Sequence, residues 1–106
     1  MIKKKPRKTE FIIVWDFHVK FGKRRKFERI YGANGAWTKF FRKGKGYIRT
    51  ELMRDLKTPR HYWTLDFWTT RQAYVRFKKE NRDEYQAMDE KCLSLTEHES
   101  LIGESK

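Results

Sequence analysis

Two stretches of this chain repeat one layout, in which an apolar strand is followed by an aromatic-faced helical stretch and then by a second strand. The first stretch runs from Phe11 to Leu56 and the second from His61 to Gly103. Apolar residues alternate with a period of two in the strands and recur every three or four residues in the helical stretches. The layout predicts the order βαββαβ, with helices on only one face of a four-stranded antiparallel sheet.

This order is that of an α+β, ferredoxin-like domain, and the apolar pattern sets the bounds of its elements. Strands are predicted at Glu10–Val19, Tyr47–Leu56 and His61–Trp68, with a short fourth strand at Ser100–Glu104. Helices are predicted at Lys23–Tyr31, Ala36–Lys43 and Arg71–Cys92. Gly32–Gly35 breaks the first helical stretch and Asn81 interrupts the second. Thr69 is the expected N-cap of the second, because Gln72 follows it three residues later.

The first strand predicts how the two faces of the sheet are covered. One face is wholly apolar: Phe11, Ile13, Trp15, Phe17 and Val19. The other carries Ile12 and Val14 together with Asp16 and His18. We expect the first face to meet the helices. We expect the second to meet a partner sheet in a homodimer, since exposed apolar sheet surface of this extent is uncommon on a monomer.

Length and charge suggest one domain with a basic leading segment. The 106 residues suit a single ferredoxin-like domain over residues 9–106, preceded by a basic flexible tail at residues 1–8. Residues 1–53 carry 16 Lys or Arg and 4 Asp or Glu, whereas residues 54–106 carry ten of each sign. A basic field of this kind attracts phosphates, so nucleic acid is one partner that the N-terminal half allows. A solvated basic surface is the simpler interpretation.

Other features narrow the class of protein. No apolar run approaches the roughly 20 residues that a membrane-spanning helix needs, and the first residues lack the apolar run of a signal peptide. The single cysteine, Cys92, cannot form an internal disulfide and lies on an apolar helical stripe, which indicates a buried structural thiol. We therefore expect a cytoplasmic protein with no membrane contact.

The sequence predicts neither a metal site nor a bound cofactor. Asp16 and His18 share a strand face, but they supply only two ligands where zinc needs at least three. The segment Gly44-Lys45-Gly46 lacks the third glycine of a dinucleotide loop and precedes a strand rather than a helix. RNA-recognition domains share the βαββαβ order, but the nearest match to their signature, Lys45-Gly46-Tyr47, falls on the wrong strand.

A pocket is expected between the sheet and the broken first helix, because a break leaves space that a continuous helix would fill. The expected lining residues are Tyr31, Trp37, Phe41, Arg42, Tyr47, Asp66 and Trp68. The two indoles offer flat walls with an N–H donor at one edge. Arg42 has two alternative roles: it holds an anionic ligand through paired N–H groups, or it forms an ion pair with Asp66.

Several segments resemble the antibiotic-biosynthesis-monooxygenase-like family over roughly Phe11 to Gly103. They are the runs Phe40–Leu52 and Tyr62–Thr70, the pair Ala73-Tyr74, and Phe77. The resemblance implies a dimeric α+β barrel, in which two sheets pack face to face and each subunit keeps a pocket between its sheet and helices. Some members oxygenate polyaromatic phenols without metal or flavin. Others bind and degrade haem, and many have no known activity.

The haem-degrading members use an Asn on strand one and a Trp and a His on helix two. Here Trp15 stands near the first position, Phe77 replaces the Trp, and the second helical stretch has no His. The resemblance thus favours a cofactor-independent monooxygenase-like protein that acts on or binds a small planar aromatic of phenol or quinone type. The alternatives are a non-catalytic dimeric ligand-binding protein of the same fold and a basic nucleic-acid-binding module.

Overall fold

The computed structural model describes residues 10–105, so the predicted tail at residues 1–8 lies outside the described part of the chain. The strands are β1 (Phe11–Val19), β2 (Tyr47–Arg54), β3 (His61–Trp68) and β4 (Thr96–Glu104). The helices are α1 (Arg24–Tyr31), α2 (Ala36–Phe41), α3 (Arg71–Glu80) and α4 (Arg82–Cys92), and a 3₁₀ turn spans Leu93–Leu95. Within this span, none of the helices has both the length and the apolar character needed to cross a membrane.

The four strands form one antiparallel sheet in the order β2-β3-β1-β4, which confirms the predicted fold class. In the central pair, Phe11 faces Trp68 and His18 faces His61. Directly paired residues point to the same side of a sheet, so the odd-numbered residues of β1 share a face with the even-numbered residues of β3. This shared face is covered by the helices.

The opposite side of the sheet, here called the helix-free face, carries the remaining residues of the central strands. They are Ile12, Val14, Asp16 and His18 on β1 and His61, Trp63, Leu65 and Phe67 on β3. Arg49 of β2 lays its guanidinium 3.9 Å from the centre of the Phe67 ring and covers part of this face. The two faces therefore differ as expected: one packs a core, and the other mixes apolar and ionisable groups.

Aromatic rings dominate the core on the helix side. Phe17 of β1 lies with its ring centre 5.2 Å from that of Phe27 and 4.9 Å from that of Tyr31, both on α1. Phe40 of α2 meets Phe77 of α3 edge to face at 4.9 Å. Each fully buried side chain of this size contributes about 1.5–3 kcal/mol, so these rings hold the helices to the sheet.

The predicted break in the first helical stretch is confirmed, and Gly35 explains its position. A Cβ atom at Gly35 would lie only 2.3 Å from the backbone oxygen of Ile30 and 2.5 Å from that of Arg29. Only glycine lets the chain pass this close to the last turn of α1. The Thr38 hydroxyl then donates to the Gly35 carbonyl at 2.9 Å and secures the first turn of α2.

The second helical stretch also breaks where expected, between α3 and α4 at Asn81. The Asn81 side-chain amide donates to the Phe77 carbonyl at 2.9 Å, an interaction that competes with helix continuation. The predicted N-cap was wrong by one residue. The cap is Thr70, whose hydroxyl accepts from the Ala73 N–H at 3.0 Å, because Thr69 still pairs with Gly46 at the end of the sheet.

Three predicted boundaries differ from the structure by two residues or more. Strand β4 begins at Thr96 rather than Ser100, because its first residues pair with the end of β1. Strand β2 ends at Arg54, two residues before Leu56, and helix α2 ends at Phe41, two residues before Lys43. The shorter α2 makes Arg42 the C-cap of the helix rather than an interior residue.

Candidate functional site

A cavity lies on the helix side of the sheet, where the break between α1 and α2 leaves space above β1 and β3. Six aromatic side chains line it: Trp15, Phe17, Tyr31, Trp37, Phe41 and Tyr85. The polar lining consists of Thr50, Thr64, Asp66, Asp89 and Glu99. The space open to the centre of a water molecule is about 40 Å³, which is room for a few waters. A planar aromatic ligand therefore requires the wall to open.

The structure brings four of the seven expected pocket residues to the cavity wall: Tyr31, Trp37, Phe41 and Asp66. Tyr47 and Trp68 lie one layer behind it. The Trp68 ring centre is 5.8 Å from that of Phe41 and 5.3 Å from that of Tyr47, and Trp68 is fully buried. These two residues support the wall rather than form it.

Arg42 lies outside the cavity wall. As the C-cap of α2, it turns toward the helix break, where its guanidinium donates to Asn34 Oδ1 at 3.1 Å. Asp66 takes its hydrogen bond from Thr50 instead, and among the described residues no ion pair joins it to Arg42. In this structure the Arg42 guanidinium is held at the helix break rather than at the cavity wall.

Several lining residues were not expected from the sequence. Tyr85 and Asp89 lie four residues apart on α4, so one face of that helix brings both to the cavity. Tyr85 belongs to the apolar stripe of the helix, and the four-residue spacing from it is the signal that would have found Asp89. Glu99 lies in the part of β4 that the sequence did not predict as a strand.

A chain of hydroxyl groups ends at Asp66. The Thr50 hydroxyl donates to Asp66 Oδ1 at 2.7 Å, and the hydroxyls of Tyr47 and Thr50 are also 2.7 Å apart. Since a threonine hydroxyl has only one proton to give, Tyr47 donates to Thr50 and Thr50 donates to Asp66. Register places Thr50 of β2 directly opposite Asp66 of β3, so the sheet itself sets this geometry.

Burial governs the protonation of the carboxyl groups in the cavity wall. It raises the pKa of Asp66 to about 6, and the hydrogen bond from Thr50 opposes the rise. Burial also raises the pKa of Asp89, with Lys78 opposing it, and the pKa of Glu99. Asp66 is therefore an ionised carboxylate at neutral pH whose proton affinity exceeds that of an exposed one, as a general base requires.

The two tyrosine hydroxyls of the wall stay protonated. Burial raises the pKa of Tyr31, helped by the neighbouring Cys92 thiol, and burial likewise raises the pKa of Tyr85. The Trp37 N–H favours the ionised form of Tyr31 and opposes that rise, although no hydrogen bond of good geometry joins the two groups. The Trp37 N–H is buried and has no protein acceptor in residues 10–105, which leaves it able to donate to a ligand.

The charges of the wall have one sign. Among residues 10–105, its ionisable groups are three carboxyls and two tyrosine hydroxyls, and no lysine or arginine of that span lines it. Such a wall favours ligands that donate hydrogen bonds and disfavours anions. In the described part of the chain, the one trio of donor side chains close enough to hold a metal ion lies on the helix-free face: Asp16, His18 and His61.

Comparison with solved structures finds the same fold in proteins of low sequence identity. A variant of SnoaB, a cofactor-independent oxygenase from Streptomyces nogalater, is 22% identical over 92% of each chain, with a TM-score of 0.69. PA3566 from Pseudomonas aeruginosa is 12% identical over 95% of this chain and 96% of its own, with a TM-score of 0.65. A conserved protein from Methanosarcina mazei Go1 is 13% identical over 94% of each chain, with a TM-score of 0.65.

No curated protein matches the sequence. The sequence model of the antibiotic biosynthesis monooxygenase family matches residues 10–91, a span that holds every lining residue of the cavity except Glu99. The match covers most of the chain, and the fold agrees with it. The chain therefore belongs to the antibiotic biosynthesis monooxygenase family.

Proposed function

We propose that this chain is a cofactor-independent monooxygenase-like protein that acts on a small planar aromatic of the phenol or quinone type. One observation carries the proposal: a buried carboxylate with a raised pKa, Asp66, lies at the end of a hydroxyl chain in an aromatic-lined cavity. Family membership and the fold shared with SnoaB support the reaction class.

The wall suits a neutral hydroxyarene. Aromatic faces such as those of Trp37 and Phe41 can stack on a planar ring, and the ionised Asp66 can accept a hydrogen bond from its hydroxyl. The same carboxylate, with Asp89 and Glu99 beside it in the wall, opposes a ligand that arrives as an anion. In this proposal, the protein recognises its substrate through a hydrogen bond that the ligand hydroxyl donates, rather than through an ion pair between an anionic ligand and a Lys or Arg side chain.

Asp66 also has a chemical task in this proposal. It accepts the proton of the bound phenol, and the resulting phenolate is electron-rich enough to reduce oxygen. One oxygen atom joins a ring carbon, and the other leaves as water with the ring hydrogen and the hydroxyl hydrogen. Phenol and oxygen thus give quinone and water, and Asp66 ends as it began. Thr50 and Tyr47 hold the carboxylate in place while it accepts and returns the proton.

The ligand must widen the cavity, whose space open to a water centre is about 40 Å³. Its half-buried residues mark the open side: Trp15, Tyr85, Asp89 and Glu99. The fully buried side, with Phe17 and Phe41, is packed against other rings and is less free to move. We therefore expect the ligand to enter between β4 and α4.

Oxygen uptake with a panel of hydroxylated naphthalenes and anthracenes tests the proposal. We expect uptake by the wild type and a loss of roughly 10²-fold or more in kcat for Asp66→Asn, the range typical of a general base. Asp83→Asn, at an exposed position on α4, is the matched control and should keep full activity. Ligand binding without any oxygen uptake would overturn the catalytic proposal in favour of a binding protein of the same fold.

We also infer that the chain forms a homodimer through the helix-free face. Besides Ile12 and Val14, this face presents Trp63 and Leu65, each half-buried in one chain, and Met53, which is 49% exposed. Apolar sheet surface of this extent favours a self-complementary partner. Members of the family are commonly dimeric, which supports the same arrangement.

A further inference from the structure

The helix-free face carries a cluster of imidazoles and carboxylates at the end where β1 and β3 pair His18 with His61. Asp16 and His18 alternate along β1 on this face, and His61 joins them from β3. One ligand atom from each of the three residues lies within 4.8 Å of the other two. The cluster is on the side of the sheet opposite the cavity, because Phe17, between Asp16 and His18, points to the helices.

Both imidazoles turn the same nitrogen toward one carboxylate. His61 Nε2 hydrogen-bonds Asp16 Oδ1, and His18 Nε2 lies 3.4 Å from Asp16 Oδ2. The two rings stack with their centres 4.4 Å apart and their planes 14° from parallel. Convergence of two Nε2 atoms on a carboxylate oxygen pair is the arrangement from which a cation can take three ligands with small side-chain movements.

A second carboxylate orients His61. Asp55 Oδ2 lies 2.8 Å from His61 Nδ1, and Asp55 is itself held by the Lys57 N–H at 2.8 Å. Metal-binding histidines commonly direct their other ring nitrogen to a carboxylate in this way, which fixes the tautomer and the ring orientation. Trp63 packs edge to face against the His61 ring at 4.6 Å and further limits its motion. His61 is therefore preset with Nε2 facing Asp16.

We propose that Asp16, His18 and His61 form a binding site for a first-row divalent transition metal, with Zn²⁺ as the ion that best fits the donor set. Two imidazoles and one carboxylate are a common three-residue zinc set, with water in the fourth position. Soft ligands that would favour other ions are absent from the trio, and zinc lies high in the order of affinities for nitrogen and oxygen donors. The site does not depend on the oxygenase proposal, since it occupies the other face of the sheet.

The exposure of the trio within one chain suits a binding site. Side-chain exposure there is 14% for Asp16 and His61 and 41% for His18, so two ligands are held in the sheet and the third is more open. These are the exposures of one chain, since the helix-free face is also the inferred dimer contact. His98 of β4 faces His18 across the sheet, with ring centres 5.8 Å apart. It is the remaining histidine of the chain, and it lies outside the trio. His98 therefore provides a matched control on the same face.

Isothermal titration of the untagged, chelator-treated full chain with ZnCl₂ tests the site, and we expect one ion per chain. Asp16→Asn and His18→Ala should each weaken zinc binding by roughly 10–100-fold or more, and Asp55→Ala by roughly 10–100-fold, as changes to ligand-orienting groups do. Co²⁺ added in place of zinc should give visible absorption bands that disappear in His18→Ala. Thermal melting of each variant confirms that it is folded.

Two control variants make the assignment falsifiable. His98→Ala and Cys92→Ser should bind zinc as the wild type does, because neither residue belongs to the trio. The proposal is overturned if the wild type binds no zinc, or if His18→Ala binds zinc as tightly as the wild type does. His18 is decisive because it is the most exposed of the three ligands.

Discussion

Thr50 and Asp66 face each other across β2 and β3, and the Thr50 hydroxyl donates a 2.7 Å hydrogen bond to the Asp66 carboxylate. Burial favours the neutral acid, and this hydrogen bond favours the ionised form. The balance raises the pKa of Asp66 to about 6. The Asp66 carboxyl thus changes charge close to neutral pH, in a wall that six aromatic side chains line.

The raised pKa predicts a pH-dependent effect of Asp66→Asn on stability. The stability contributed by Asp66 is fully present below its unfolded pKa of about 3.9 and is lost as pH rises through about 6. Relative to wild type, the variant should therefore gain about 2–3 kcal/mol in free energy of unfolding between about pH 4 and pH 8. Urea denaturation at both pH values measures this difference. Asp83→Asn controls for net charge, and an equal gain in that variant would contradict the assignment.

Thr50→Val should shift the pH profile of oxygen uptake. Without the donated hydrogen bond, the pKa of Asp66 rises further, because burial is then unopposed. The acidic limb of kcat should move to higher pH, while Thr50→Ser, which keeps the hydroxyl, should retain the wild-type profile. An identical shift in both variants would contradict the assignment, because Thr50→Ser keeps the hydroxyl that donates to Asp66.

The charge of the wall predicts ligand preference. A neutral 2-naphthol should bind more tightly than 2-naphthoate by roughly tenfold or more, since each 1.4 kcal/mol of repulsion is a factor of ten. Quenching of tryptophan fluorescence measures both affinities, because Trp15 and Trp37 line the cavity. Tighter binding of the naphthoate would show that a cation outside the wall, such as Arg42, reaches the ligand after all.

Gly44→Ala should destabilise the fold. A Cβ atom there would lie 2.6 Å from the Phe77 ring and 3.1 Å from the Trp68 ring, both of which are packed and cannot move aside. Overpacking of this kind costs about 1–3 kcal/mol, measurable by urea denaturation. At Gly103 a Cβ would meet no atom within 4 Å, so Gly103→Ala should change stability by less than about 0.5 kcal/mol.

Val14→Glu should convert the proposed dimer into a monomer, because it places a charge on the helix-free face. Light scattering should give twice the 13.1 kDa of one chain for the wild type and 13.1 kDa for the variant. Val75→Glu, on α3 at a position 43% exposed, is the matched control and should leave the mass unchanged. A wild-type mass of one chain would disprove the dimer.

The parts of the fold that could be predicted are those where local pattern and tertiary packing agree. Strand β1 is the clearest case, since the alternation from Phe11 to Val19 matches the burial of its residues. The helix break could also be predicted, because Gly35 is needed where the chain passes the carbonyls of α1. In both cases the residues that show the sequence pattern are the ones whose burial or close backbone approach requires that residue type.

The start of β4 could not be predicted, because the polar run Thr96-Glu97-His98-Glu99 lacks apolar alternation. It is a strand because its backbone pairs with β1, which is a tertiary contact. Glu99 was missed for this reason. Arg42 was expected in the wall, but its guanidinium donates to Asn34 at the helix break instead, and the sequence pattern does not determine that choice of side-chain partner.

The carboxylates of the cavity wall, to which the described part of the chain adds no lysine or arginine, also affect how the proposed reaction would end. Oxidation turns a hydroxyl that donates a hydrogen bond into a carbonyl that only accepts one. Once Asp66 has returned its proton, the carboxylate that held the phenol faces the oxygen of a quinone and repels it. Product release would then need no separate trigger, and inhibition by accumulated quinone should be weak.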